Sequence, residues 1–505
     1  MKKWITWLLL AAMMLSMAAC GGTETAETTA DTATADTTTA VETEEETLDP
    51  AELDELPTDN KDYEGYDFRI MTHEFPAVNV AWVIQDIAAE ELTGERINDA
   101  VFERNARFTE RFGANVVEVL DDTTTVLATA KQLISAGDDA FDLFQTGVFN
   151  QSALSVQGYI LNMNDMDYLN FEKAWWDINA MKGMAIGDKI FHAFGDNSLN
   201  GKKGTYVILF NKALTEDAGV PDLYTTVKEG DWTIDKLAEY GEQISQDVNG
   251  DGVLTWGDDI YGIGLQFEVA IALFSASGLT SFTFNEDGSY NYHLADANVV
   301  DAMGIINNFM TSAMEYSVNC ELETGEYKQN WPEFRNLFMS DKIGFFMGHL
   351  GTVTLVGGDM NSDFGILPFP KVLEDQDQYY NAFQYGNVMS ISVPKTCQDT
   401  TRTGLLTEAY VMLSHDTVLP AYYDYTLTMR NARDEESAEM LDIIFSSRVF
   451  DVGIAYANTA SGVYKFLQDT GNAETFNYAS SEAANKDAII SELEKNIEAL
   501  QKYAG

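Results

Sequence analysis

Residues 96–120 read RINDAVFERNARFTERFGANVVEVL, and the fold class follows from them. Ile97, Val101, Phe108 and Phe112 recur at the spacing of one helical face, which predicts a helix over Arg96–Phe112. The run Asn115–Leu120 that follows is a strand. Working outward, Asp67–Met71 is a strand before this unit. Thr125–Ser135 is helical through Val126, Leu127, Ala130, Leu133 and Ile134, and Phe141–Phe144 is a short apolar strand. Strand, helix, strand, helix, strand implies a mainly parallel sheet covered by helices. The theme returns further on. Thr205–Phe210, Ile343–Met347 and Val388–Val393 (stopped by Pro394) are strands, and Trp232–Ser245, Gly404–Leu413 and Ala488–Tyr503 are helices. No internal repeat of fixed period is present. In open α/β sheets ligands sit outside the carboxyl ends of strands, so the loops after these strands are the places to examine.

The first twenty residues set the compartment. Lys2 and Lys3 precede an apolar run, Trp4–Met17, and Ala18-Ala19-Cys20 closes it. This pattern is a secretory signal peptide, residues 1–19, and its ending resembles a bacterial lipobox with Cys20 as the lipidated residue. Met17 stands where that pattern usually has Leu. Several acyl chains on Cys20 would anchor the chain stably to the cell membrane on its extracytoplasmic face. Residues 20–62 are Thr, Ala, Glu and Asp with almost no aromatic side chain, a composition that predicts a disordered, charge-extended tether.

About 440 residues remain, enough for two domains. The formal net charge of -51 argues against binding nucleic acid or anionic lipid directly. Beyond Cys20 only Cys320 and Cys397 occur; they could pair in an oxidising compartment, and two free thiols are the expectation. The five histidines have no zinc spacing. No nucleotide-binding loop is present. Gly262 and Gly264 begin a G-x-G that lacks its third glycine, and there is no G-x-S-x-G nucleophile elbow.

One local motif is sharp. Residues 247–258 read DVNGDGVLTWGD, an EF-hand-type calcium loop. Asp247, Asn249 and Asp251 supply side-chain oxygens, Gly252 the turn, Val253 a carbonyl, Thr255 the ninth position and Asp258 the twelfth. Asp at the twelfth position departs from the bidentate Glu of the pattern. A single such loop predicts a structural Ca2+ rather than a sensor.

Seven short segments occur in a telling order: Tyr66-Asp67-Phe68-Arg69-Ile70, then Ile97 to Asn105 (INDAVFERN), Phe141-Asp142-Leu143 and Gly158-Tyr159-Ile160-Leu161. Leu209-Phe210-Asn211-Lys212, Gly230-Asp231-Trp232-Thr233 and Leu367-Pro368-Phe369-Pro370-Lys371 complete it. Together with the lipobox and acidic tether, this order resembles the extracellular solute-binding proteins of family 1, the substrate-binding subunits of carbohydrate ABC transporters, to which the maltose-binding protein is related. The resemblance covers nearly all of the mature chain. It implies a two-lobed, periplasmic-binding-protein-like fold of type II with the ligand in the cleft between the lobes. Lobe 1 would comprise 63–168 and 384–430, and lobe 2 would comprise 169–383 and 431–505, including the 247–258 loop. It further implies a monomeric receptor without catalysis, which closes on carbohydrate and hands it to the permease subunits.

A sugar presents C–H faces that pack on aromatic rings and hydroxyls that need partners, so its cleft requires aromatics beside polar side chains. The loops expected at the cleft supply both. His73, Glu74 and Trp82 follow the first strand. Phe149 and Asn150 follow the 141–144 strand. Trp175 and Trp176 open lobe 2, and at most one of this adjacent pair is expected to face the cleft. Asp196 and Asn197 follow the aromatic-rich strand Ile190–Phe194. Phe267 and Glu268 follow Tyr261–Leu265, Met347 and His349 follow Phe345-Phe346, and Tyr385 and Asn387 sit at the crossover. Two other classes fit the same composition: a secreted carbohydrate-active enzyme, whose paired carboxylates cannot be excluded by counting 81 acidic residues, and a lipoprotein that binds a non-sugar solute such as a peptide.

Overall fold

Strands follow one another as β1 (Asp67–Glu74), β2 (Asn115–Asp122), β3 (Leu143–Gly147), β4 (Tyr206–Asn211), β5 (Tyr261–Leu265), β6 (Phe282–Phe284), β7 (Tyr290–Tyr292), β8 (Ser317–Asn319), β9 (Ile343–His349), β10 (Phe364–Leu367) and β11 (Met389–Ser392). The computed structural model describes residues 56, 63–75, 82, 85–285, 287–320, 331–357, 360, 362–428, 435–456 and 462–503. All lie within the unit Leu48–Gly505. The expected signal peptide, Cys20 and all of the expected tether except Leu56 fall outside the described residues.

Two sheets form the two lobes. The first has the order β11-β3-β1-β2, and the second β10-β4-β9-β5-β8. β1 runs parallel to β2 and β3, as the alternating pattern predicts, while β11 returns antiparallel beside β3. In the second sheet β5 runs parallel to β8 and β9, and β4 runs antiparallel to β9 and β10. Helix Arg96–Phe112 has the predicted bounds, and it turns Val101, Phe108 and Phe112 inward together with the fully buried Arg104. The Arg104 guanidinium donates to the carbonyls of Asp86 (2.7 Å) and Ile87 (2.6 Å) and lies over the Tyr410 ring at 4.4 Å, so its buried charge is well solvated by protein.

The short motifs find one another. Asp142 accepts the Arg69 backbone N–H at 2.8 Å, its side-chain Nε at 3.1 Å and the Tyr66 hydroxyl, so β1 is pinned to the start of β3. Across the chain, Trp232 donates its indole N–H to the Pro368 carbonyl at 3.0 Å, and Lys371 donates its backbone N–H to Trp232 at 3.0 Å. The Gly262-x-Gly264 pair serves packing. A Cβ at Gly262 would sit 1.8 Å from the Gly241 carbonyl, so only glycine lets helix Ile234–Ile244 lie against β5.

Three expectations need revision. Ile190–Phe194 is not a strand of either sheet; it makes one isolated bridge, Ala193 to Ile391, against β11. That bridge keeps the chain on the first sheet past residue 168, and the crossing into the second sheet comes at Thr205, which bridges Phe383. The helix expected over Gly404–Leu413 runs over Thr400–Thr428. Its inward residues Leu405, Leu406, Ala409, Tyr410, Val411, Met412 and Leu413 are all buried, so a one-sided pattern cannot mark its ends. Cys320 and Cys397 are both free thiols. Among the described residues no helix is long and apolar enough to cross a membrane.

Candidate ligand-binding cleft

Three chain segments connect the lobes side by side. Tyr206 donates its N–H to the Ala382 carbonyl (2.9 Å), and Gln384 donates to Gly204 (2.9 Å). Beyond them, Asn381 donates to Ser447 (3.0 Å) and Val449 donates back to Asn381 (2.9 Å). Arg448 ties this third segment down. Its guanidinium donates to the Gly201 carbonyl at 2.8 Å and pairs with Asp177. A Cβ at Gly204 would stand 2.0 Å from Val388, so the crossing requires glycine there.

On one side of this crossing Trp82, from the loop after β1, stacks on His349 at the end of β9, with ring centroids 4.4 Å apart and planes 29° apart. The two lobes thus meet through aromatic faces. Burial pushes the His349 imidazole down to about 3, aided by the nearby Lys203 and Arg335 charges, so it is neutral across the physiological range. Burial also pushes the Lys203 ammonium down to about 8, partly offset by Asp86. Around this point Asn197 Oδ1, Ser198 Oγ, Asn200 Oδ1 and His349 Nδ1 are buried without a protein hydrogen-bond partner.

β4 and β9 place Tyr206 directly opposite His349, so both side chains rise on the same face of the second sheet. Tyr206 donates its hydroxyl to Glu268 at 2.9 Å, and Tyr464 donates to the other Glu268 oxygen at 2.6 Å. Phe149, at the start of the helix after β3, stacks on Tyr385 (6.2 Å, 14°) and meets Tyr464 edge to face (5.7 Å, 89°). Tyr206, Glu268, Phe383, Gln384, Tyr385 and Tyr464 line a small recess of about 10 Å³. Aromatic faces and a carboxylate therefore converge where the ends of both sheets meet.

The residues expected at the cleft divide clearly. Phe149, Glu268 and Tyr385 gather around Tyr464, and Trp82 and His349 stack on each other as a second pair. His73 and Phe75 pack edge to face at 4.8 Å with Phe75 beside Trp82, while Glu74 is exposed at the end of β1. Asn150 bonds back to Thr146 (3.1 Å), Phe267 gives its carbonyl to Asn472, and Asn387 donates its backbone N–H to Gln384 (2.7 Å). Asn197 donates to Gln145 at 2.9 Å. Met347 is fully buried within β9, and Asp196 is buried in an ion cluster with Lys202 (2.9 Å) and His415 (2.6 Å). Trp175 and Trp176 both bury their rings and donate their indole N–H groups to Glu408, at 2.9 and 3.0 Å, so neither faces the cleft. An indole N–H finds a partner when buried, and the partner here comes from a helix more than 230 residues away.

Sequence reasoning missed Tyr206, Tyr464 and Glu408. Tyr206 begins the first strand after the crossing, a position that could have been flagged. Glu408 was also visible as a lone acid among Leu405, Leu406, Ala409 and Tyr410. Tyr464 carries no local signal, because its role depends on a contact with residue 268.

The 247–258 loop is closed by a bridge between Gln246 and Ile260 and leads into β5 rather than a second helix. Asp247 accepts the N–H groups of Gly250 (2.6 Å) and Gly252 (2.7 Å), and Asn249 accepts that of Asp251 (2.9 Å). Asp251 in turn accepts Val253 N–H at 2.9 Å, and the Thr255 hydroxyl contacts the Val253 carbonyl at 3.4 Å. Asp258 is exposed, whereas Asp259 is buried and accepts from Val248 (2.8 Å) and Thr255 (2.7 Å). Among the described residues no group of three or more His, Cys, Asp or Glu side chains converges as metal ligands.

No protein-family model matches the chain, and no curated protein matches it. Solved structures do. The GacH receptor of Streptomyces glaucescens, crystallised unliganded and with acarbose, aligns over 85% of this chain and 99% of its own, with a TM-score of 0.51 at 12% identity. The galacto-N-biose/lacto-N-biose I-binding protein of the Bifidobacterium longum ABC transporter, in complex with lacto-N-biose, aligns over 87% and 98%, with a TM-score of 0.53 at 11% identity. UgpB from Mycobacterium tuberculosis, in complex with glycerophosphocholine, aligns over 86% and 99%, with a TM-score of 0.52 at 15% identity. The chain therefore has the two-lobed α/β fold of these ligand-binding transport proteins, the fold that the order of its short motifs implies.

Proposed function

We propose that this chain is the extracytoplasmic solute-binding subunit of an ABC importer. It captures a carbohydrate between its lobes and delivers it unaltered to permease subunits. The observation that carries this reading is the convergence of Phe149, Tyr385, Tyr464 and Glu268 at the seam of the two sheets, with a second aromatic contact between the lobes where Trp82 stacks on His349. Aromatic faces suit the C–H surface of a sugar ring, and Glu268 and Gln384 suit its hydroxyls. The paired crossing segments at 204–206, 381–384 and 447–449 supply a hinge on which the lobes would close. Anchoring through lipid on Cys20 would hold the receptor at the membrane beside its permease. In the same spirit, Ca2+ in the 247–258 loop would replace internal N–H contacts with six to eight oxygen ligands and staple the second lobe.

A thermal-shift screen over oligosaccharides tests the main reading, since a ligand that binds only the folded state raises its melting temperature. Recovery of the bound saccharide intact after long incubation supports a receptor. Recovery of cleaved product would make it an enzyme. A shift with glycerophosphodiesters but with no saccharide would place it with the non-sugar binders of the same fold.

A further inference from the structure

We propose that the cleft selects a sugar carrying a protonated amino group, with Glu268 as the charge partner of that amine; this rests on the carbohydrate reading above. Glu268 is partly exposed and lines the recess. It receives one hydroxyl on each oxygen, from Tyr206 at 2.9 Å and Tyr464 at 2.6 Å, and it makes no ion pair with any described Lys, Arg or His. A carboxylate has about four lone-pair sites, so two remain open after the tyrosines. Two hydroxyl donors orient the carboxylate without neutralising it.

The walls match the same ligand group. Tyr385 is buried between Phe149 (6.2 Å, 14°) and Phe383 (4.1 Å, 32°), so the half-buried Phe149 and Tyr464, perpendicular to each other (89°), are the rings that a ligand at Glu268 would meet. Ring faces carry negative quadrupole charge and attract a cation, most strongly where water is excluded. An ammonium offers three donors and no acceptor. That complements a carboxylate and π faces, which only accept. A neutral hydroxyl would fill one lone pair and leave the charge of Glu268 uncompensated. The net charge of -51 adds a long-range field that draws cations and repels acidic sugars.

The experiment is titration calorimetry of the full mature chain with three disaccharides of one linkage: the glucosamine dimer, its N-acetylated form and the plain glucose dimer. At about pH 6 the amine is charged. The account expects the glucosamine dimer to bind about tenfold more tightly than the other two, with the advantage shrinking in about 0.5 M salt. Glu268→Gln should bring all three to similar affinity, while Tyr464→Phe, which keeps the carboxylate, should preserve the preference. An unliganded melting temperature within a few degrees of wild type for both variants guards against misfolding. Equal wild-type affinity for the charged and neutral sugars overturns the proposal and leaves the carbohydrate reading standing. Binding of none of the three, in a protein that answers no other saccharide, overturns both.

Discussion

Glu408 and Glu268 each hold a carboxylate between two aromatic donors. Glu408 accepts the indole N–H groups of Trp175 and Trp176 and the backbone N–H of Asn170 at 3.2 Å, and it is only 2% exposed. Glu268, partly exposed, accepts two tyrosine hydroxyls beside a small recess. The local chemistry is nearly the same, and exposure separates the roles. At Glu408 burial pushes the carboxyl up to about 7, against the pull of its three N–H donors, and the group fastens the 170–176 segment to helix Thr400–Thr428. Glu268 is partly exposed and has no buried N–H donor. A gripped carboxylate is thus a clasp when sealed and a recognition element when open.

The largest effect should come from breaking the clasp. Glu408→Ala strands three buried N–H donors, each costing roughly 1–3 kcal/mol, and should lower stability by about 3–5 kcal/mol. Chemical denaturation measures it, and a loss below about 1 kcal/mol would contradict the assignment. The next effect is in pH. Because the folded Glu408 takes up its proton more readily than the unfolded chain, its contribution is fully present below about pH 4.5 and is lost as pH rises through about 7. Relative to Glu408→Gln, the wild type should therefore lose on the order of 2–3 kcal/mol between those limits. Parallel pH profiles for the two proteins would count against it.

A third carboxylate environment, Asp247 and Asp251, sharpens the contrast further, since both are tied to backbone N–H groups in an exposed loop. If the loop takes Ca2+, a tenfold excess over its dissociation constant should stabilise the protein by about 1.4 kcal/mol. Chelator should remove that gain, and Asp247→Ala should lower the melting temperature only in the presence of calcium. Identical melting with calcium and with chelator would end the proposal. The smallest effect belongs to the open carboxylate. Glu268→Ala should change unliganded stability by less than about 1 kcal/mol, because Glu268 and Tyr464 are both partly exposed. A cost comparable to that of Glu408→Ala would show that Glu268 is a clasp as well.

Much of this was legible in the residues. Helix Arg96–Phe112 and the strands near β1, β2, β4, β9 and β11 follow from period and apolar runs, which are local properties. Phe149, Tyr385, Glu268, Trp82 and His349 could be named because they lie just past strand ends or at the crossover. The tryptophan pair misled because a surface ring and a buried one look alike until the indole partner is known, and that partner, Glu408, lies on a distant helix. Tyr206 and Tyr464 escaped for a related reason. Their importance lies in one shared carboxylate, a three-body contact that no spacing rule encodes.

The most direct test is calorimetric titration of Phe149→Ala beside wild type, using whichever saccharide stabilises the wild type most. Phe149 bridges Tyr385 of the crossover and Tyr464 of the second lobe, so it stands at the centre of the seam. The account predicts at least a tenfold loss of affinity, about 1.4 kcal/mol, with the saccharide still recovered whole. Unchanged affinity in a variant that melts like wild type would place the ligand elsewhere and contradict the cleft assignment.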